Sequence, residues 1–290
     1  MFGIINLFKP SGPTSRDCVN QIQRLVRPHK VGHAGTLDPM ADGVLLIAVG
    51  QAVRLVDWLH ELPKTYQATF ELGKSSLSGD NQEEVTTLAV APCIAKIELD
   101  QVLPEFLGEI AQVPPIYSAV RIQGKRAYEI ARAGKSVAIA PRNVTIHRLQ
   151  ITSFDYPFVG MEIECGTGTY IRSLGQDIAR RLGSDAIMTQ LRRVAIGCFD
   201  SQQAVGLNQL DSIASIEHHL SNPVLGLSHL PHITLDDQQL IDIGHGKTIQ
   251  LDEQSVPHRL GLDADGNLRS ILKQKDPGLW TAHRNFEMPS

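Results

Sequence analysis

The stretch from Gly32 to Gly50, GHAGTLDPMADGVLLIAVG, has two readable halves. Val44 to Val49 is an unbroken apolar run of strand length between Gly43 and Gly50, which predicts a buried strand. Ahead of it, Asp38 precedes Pro39. That pairing starts turns and caps helices, because the Asp oxygen accepts a backbone N–H and Pro pre-sets φ. A carboxylate is thus expected where a loop enters core structure, which is where reactive groups tend to be presented.

Upstream, Gly3 to Phe8 (GIINLF) is a short strand candidate, broken by KPSGPTS. Thr14 or Ser15 can cap a helix whose apolar positions Val19, Ile22, Leu25 and Val26 recur at helical spacing, with Arg16, Arg24, Arg27 and Lys30 on the polar side. Downstream, Lys64 to Gly73 alternates like a half-buried strand, with Tyr66, Ala68, Phe70 and Leu72 on one face. The acidic segment Lys74 to Thr87 reads as a long loop. From Phe106 the string FLGEIAQVPPIYSAVRIQGKRAYEIARAG is basic, and Tyr128, Ile130 and Ala131 begin a short amphipathic helix expected to end near Gly134.

Residues 142 to 153 and 158 to 165 alternate like paired strands and lead into GTGTYIRSLGQDIARRLG. There Gly166 and Gly168 predict a tight turn, Tyr170 and Arg172 share a face of an extended piece, and Ser173 starts a helix running to Leu182. The glycine spacing is neither a P-loop nor a dinucleotide fingerprint, so no nucleotide cofactor is expected. Beyond Pro231, short apolar runs divided by Gly, Asp and Asn predict a small β-rich module.

Hydrophobic content of 42% and charged content of 20% are those of a globular protein long enough for one large domain plus a small one. No apolar run approaches the roughly 20 residues that span a bilayer, and MFGIINLFKPSG lacks the pattern of a secretory signal, so a cytoplasmic protein away from membranes is expected. Cys18, Cys93, Cys165 and Cys198 are scattered with no CxxC pair, which argues against disulfides and a zinc site. The net charge of −4 is segregated: residues 1 to 56 carry six basic and three acidic groups, and residues 111 to 199 carry twelve and six. A fold joining these blocks would give one basic face compatible with RNA.

His33, Gly35, Thr36, Leu37, Asp38, Pro39 and Gly43 in this order resemble the central motif of the bacterial tRNA pseudouridine-55 synthases. Lys9-Pro10-x-Gly12-x-Thr14-Ser15, the PPIYSA run, GTYIR and LRRVAIGCF match further motifs of that family, in order, over roughly the first 200 residues. The resemblance implies a mixed α/β (α+β) pseudouridine synthase fold with a central, largely antiparallel sheet. It implies a catalytic domain over 1–230 with a basic thumb at about 114–141, and a PUA-like β domain over 231–290, although that tail is acidic here.

By the same resemblance the catalytic residues are Asp38, the nucleophile, Tyr66, which stacks on the target base and is sometimes assigned the role of general base, and Arg172, which pairs with Asp38. Tyr170 packs against the uracil, Leu191 lines its pocket, and His33 is a wedge into the space the base vacates. Lys9, Arg121, Lys125 and Arg126 are expected to contact phosphate, and Lys64 is a further substrate contact. The expected partner is the tRNA T-arm, bound by a monomer with no metal and no cofactor. The rival readings are a tRNA-binding or tRNA-folding protein without catalysis, and a guide-RNA-dependent synthase subunit.

Overall fold

The computed structural model describes residues 1–118, 139–252 and 256–287, together with the backbone of 121–122 and 125–126. Strand β1 (Phe2–Lys9) is followed by helix α1 (Ser15–Leu25), then β2 (Val31–Ala34) and β3 (Asp42–Gly50). A capping box starts α1: the Asp17 N–H donates to the Thr14 hydroxyl, and the Thr14 N–H donates to the Asp17 carboxylate. Its buried Cys18, Val19 and Ile22 pack on Ile5, Leu45 and Ile47 of β1 and β3. Strands β1 and β3 pair antiparallel from Phe2 opposite Gly50 to Lys9 opposite Gly43, which sets Lys9 beside the loop carrying Asp38.

After helix α2 (Val56–Glu61) come β4 (Lys64–Leu72), β5 (Lys74–Ser76), β6 (Val85–Thr87), helix α3 (Lys96–Val102) and β7 (Gly108–Gln112). The segment expected to be a long loop is therefore a hairpin, β5 pairing with β6, and its turn returns to the protein body at Asp80. Strands β8 (Arg121–Ile122) and β9 (Lys125–Arg126) pair with each other. The helix expected from Tyr128 to Gly134 lies outside the described residues.

Strands β10 (Arg142–Asp155) and β11 (Phe158–Cys165) pair antiparallel as expected. Helix α4 (Ile171–Arg181) follows, then β12 (Ala186–Ile196), β13 (Phe199–Asp200) and β14 (Val205–Gly206). Helix α4 begins two residues earlier than expected. Arg172 thus stands in a first helical turn with Tyr170 as N-cap, not on an extended piece.

Among the described residues the strands assemble as a ten-stranded sheet, β14-β1-β3-β12-β4-β11-β10-β7, with β2 on β3 and β13 on β12. It is largely antiparallel, and its parallel contacts are β1 with β14 and β3 with β12. Two glycines permit close approaches around the site. At Gly43, with φ of 107°, an added Cβ would lie 2.2 Å from the carbonyl oxygen of Arg193; at Gly175 it would lie 2.1 Å from the Phe70 ring. Strand β12 can therefore lie against the exit of the Asp38 loop, and α4 can lie flat on β4.

The β-rich tail is a second sheet of β15 (His232–Thr234), β16 (Ile249–Gln250), β17 (His258–Leu262), β18 (Leu268–Asp276) and β19 (Leu279–Asn285), in the order β15-β17-β18-β19-β16. The expectation of strands alone fails for Asp237–Gly244, which is a helix. Asp236 accepts from the Gln239 N–H and Gln239 accepts from the Asp236 N–H, a capping box that overrides the strand-like apolar spacing. Leu260 and Ile271 of this sheet, with Phe286 just after it, share one core with Ala48 of β3, with Leu55 just before α2 and with Trp58 in it. Phe2 and Phe286 stack with centroids 5.2 Å apart.

Candidate active site

Asp38 sits in a loop held almost entirely through its backbone. The Ser15 hydroxyl bridges the N–H and the C=O of Leu37 at 2.9 and 3.0 Å. The Gly12 N–H donates to Pro39 O at 2.8 Å, and the Ser11 hydroxyl donates to Met40 O at 3.0 Å. Lys9, fully buried, donates to Ala41 O at 2.8 Å and to Pro39 O at 3.4 Å. The expectation that Lys9 meets phosphate is thus corrected, because its ammonium is spent inside the protein on carbonyls of this loop. Burial pushes the Lys9 pKa down. The turn itself is closed by the Ala41 N–H on the backbone carbonyl of Asp38, which leaves the half-buried carboxylate free to point elsewhere.

It points to Arg172. Nη2 of Arg172 lies 3.2 Å from the Asp38 carboxylate, so the pair expected from the sequence is present. The guanidinium is itself anchored: Nη1 lies 3.3 Å from the buried carboxylate of Asp80 and donates to Ser78 O at 2.7 Å, and Nη2 donates to Tyr117 O at 3.2 Å. Asp80 is fixed in turn by the Ser78 hydroxyl at 2.6 Å and the Gln82 N–H at 3.0 Å. One guanidinium shared by two carboxylates and two carbonyls has little freedom to turn. The sequence reading missed Asp80, which lies in a polar segment with no apolar periodicity to betray burial.

Tyr66, Leu191, Tyr170 and Lys64 line one cavity with Asp38, and its volume is about 290 Å³. Strand pairing explains the grouping. Lys64 and Tyr66 share a face of β4, Arg193 of β12 stands directly opposite Tyr66, and Leu191 stands opposite Ala68. Burial raises the Tyr66 pKa, so the phenol is protonated at neutral pH. Tyr170 is clamped by the fully buried Gln112, which donates to its C=O at 3.0 Å and accepts from its N–H at 2.8 Å. The Arg142 guanidinium lies 4.7 Å from the centroid of the Tyr170 ring.

Three lining or supporting groups, Arg193, Arg142 and Gln112, were not anticipated. Arg193 comes opposite Tyr66 only through the register of β12 on β4, which no local pattern in the sequence announces. His33 lies on β2 opposite Ile47 and outside the cavity lining. Burial lowers its pKa to about 4, so its ring is neutral at physiological pH. The side chains of Arg121, Lys125 and Arg126 lie outside the described structure.

Among the described residues no group of three or more His, Cys, Asp or Glu stands where it could hold a metal ion, and no helix is long and apolar enough to cross a membrane. What the cavity offers is one carboxylate aimed by an arginine, an aromatic platform, and buried cations.

Residues 23–171 match the family model described as TruB family pseudouridylate synthase (N terminal domain), and residues 172–229 match that of the tRNA pseudouridylate synthase B C-terminal domain. The tRNA pseudouridine synthase B of Dehalococcoides mccartyi is 36% identical over 293 residues, covering 100% of this chain and 98% of that protein. The protein of the same name from Synechocystis sp. is 42% identical over 261 residues, 88% of each. The fold is similar to a chain in the crystal structure of a Cbf5-Nop10-Gar1 complex, with a TM-score of 0.76 at 24% identity, covering 99% of this chain and 85% of that one.

Proposed function

The chain belongs to the TruB family of pseudouridylate synthases, and from that premise we propose that it converts the T-loop uridine at position 55 of tRNA to pseudouridine, with Asp38 as the nucleophile. The reaction breaks the C1′–N1 bond, turns the detached uracil, and joins C5 to C1′. It involves neither net redox change nor phosphoryl transfer, so side chains suffice for it. The observation that carries the proposal is the Asp38–Arg172 pair at 3.2 Å, in a cavity that also holds Tyr66 and Leu191.

The target base must leave its stack to reach Asp38, at a cost of a few kcal/mol. Stacking on Tyr66, at about 1 to 3 kcal/mol per base, offsets much of it. With a protonated phenol, Tyr66 serves as a platform rather than a base at neutral pH. His33 enters the vacated space as an uncharged ring. Arg121, Lys125 and Arg126 supply phosphate contacts, which position the loop without reading its sequence. The working species is a cytoplasmic monomer with a catalytic unit over 1–230, a thumb at about 114–141, and a C-terminal β unit over 231–290.

Tritium release from tRNA labelled at uracil C5 tests the proposal. The wild-type chain is expected to release one tritium per T-loop, and Asp38→Asn is expected to lose at least about 10³-fold in rate while still binding tRNA. Wild-type turnover by Asp38→Asn would refute the role of the carboxylate. Absence of release by the wild type would favour a tRNA-folding protein. Activity on a bare T-arm stem-loop separates this enzyme from a guide-dependent subunit.

A further inference from the structure

The cavity holds more positive charge than a neutral base needs. Lys64, 5% exposed, donates to the carbonyl oxygens of Leu62, at 2.7 Å, and of His60. Arg193, 1% exposed, donates to Val44 O at 2.7 Å and Gly35 O at 2.9 Å, and its Nη1 lies 3.5 Å from the Tyr66 hydroxyl. Neither forms an ion pair among the described residues. Asp38, the acid that lines the same cavity, is matched to Arg172. Buried cations without counter-ions are costly, and an active site tolerates them where negative charge develops during the reaction.

Resting on the function proposed above, we infer that Lys64 and Arg193 are catalytic residues that stabilise the uracil anion formed when the glycosidic bond breaks. When C1′–N1 cleaves, its electron pair departs with N1 and spreads over the ring to O2 and O4, while Asp38 faces the electron-poor C1′. The base then turns, C5 supplies the pair that joins it to C1′, the C5 hydrogen leaves as a proton, and N1 takes one up. Atoms and charge balance as an isomerisation must. Charge is thus needed on the base only between the two bonds, which is when a preformed electropositive floor helps most.

A phosphate partner suits these residues less well, because both are buried beside Tyr66, Lys64 on the same face of β4 and Arg193 directly opposite on β12. Burial, reinforced by Arg193, pushes the Lys64 pKa down to about 8. The groups around Lys64 are Arg193, Cys165, whose thiol burial pushes up to about 11, and His60, whose pKa burial and Lys64 lower. Lys64 is therefore the group among these that loses charge as pH rises through 8.

The test compares tRNA carrying uridine with tRNA carrying 5-fluorouridine at the target, whose base is the better leaving group. Single-turnover loss of the original nucleoside is read after digestion, with wild type, Lys64→Met and Arg193→Met. Lys64→Met is expected to slow the uridine substrate about 100-fold and the fluorinated one about tenfold or less, and to abolish the fall in wild-type rate above pH 8. Equal slowing of both substrates would overturn the inference, as would a weaker, less salt-dependent tRNA affinity with unchanged single-turnover rate, which marks a phosphate contact. If both variants melt early, the wild type decides alone: its high-pH fall should be shallower with 5-fluorouridine, and identical profiles would overturn the inference. Because wild-type conversion of uridine is measured in the same series, failure of the parent proposal is seen separately.

Discussion

In the second sheet Arg259 is 4% exposed and lies 2.7 Å from Asp252, and Arg269 lies 3.5 Å from Asp263. In the first sheet Lys9, Lys64 and Arg193 are likewise buried, yet among the described residues their partners are carbonyl oxygens and one tyrosine hydroxyl. A cation beside a carboxylate cancels its own field at short range. One beside carbonyls is hydrogen-bonded and still charged. Arg259 and Arg269 of the second sheet are thus matched by carboxylates, whereas Lys64 and Arg193 of the first carry unmatched charge at a cavity.

The sharpest way to break this contrast is to disturb the packing that holds the charged floor in place. Gly43→Ala would drive a Cβ to within 2.2 Å of the Arg193 backbone, at φ of 107°. A loss of at least about 3 kcal/mol in denaturant unfolding is expected, combining backbone strain with a clash that cannot relax cheaply. Gly266→Ala, at φ of 77° with nothing within 4 Å, is expected to cost only about 1 kcal/mol. Equal losses would mean that the close approach of β12 to the Asp38 loop carries no special weight.

Next in size is Lys9→Met. It removes the Lys9 bonds to the Ala41 and Pro10 carbonyls, while Pro39 O keeps the Gly12 N–H, and a loss of about 1 to 3 kcal/mol is expected, mainly from the buried Ala41 acceptor. Since Lys9 meets no solvent, the salt dependence of tRNA binding should keep its slope; a flatter slope would restore Lys9 as a phosphate contact. Asp80→Asn removes one of the two carboxylates on Arg172. The expected result is a fall of about 10- to 100-fold in kcat with KM little changed, since alignment rather than binding is lost. The smallest effect belongs to the second sheet: replacing the exposed Lys273 and Lys275 by Ser should leave the salt slope of tRNA binding as it was, while the same change at Lys125 and Arg126 should reduce it by about 1 to 2.

The sequence made the strands around Asp38 legible because their apolar runs are long and glycine-bounded, and the Asp38–Arg172 pairing because both residues stand in motifs that resemble a known family. It hid the residues whose burial contradicts their chemistry. Lys9 follows a strand and precedes Pro-Ser-Gly, a setting that reads as surface, and only the β1–β3 register turns it inward. Asp80 sits in SSLSGDNQEE, which reads as solvated until the hairpin of β5 and β6 folds its turn against β12. Gln112 and Arg193 look like polar positions of alternating strands, and nothing local says that the polar face of one strand will be covered. The helix at Asp237–Gly244 was missed for a different reason, since its capping box was readable and its apolar spacing outvoted it.

The close passage at Gly43 also bears on how freely this sequence can drift. Any first- or second-position change in a glycine codon either halts translation or introduces a side chain, and here every side chain begins with an atom only 2.2 Å from the Arg193 carbonyl oxygen. Its neighbour Asp42, whose pairing with Arg192 faces solvent, has many substitutes that would leave the fold intact. Two adjacent codons thus differ in the number of survivable mutations open to them, and the difference is set by a single interatomic distance.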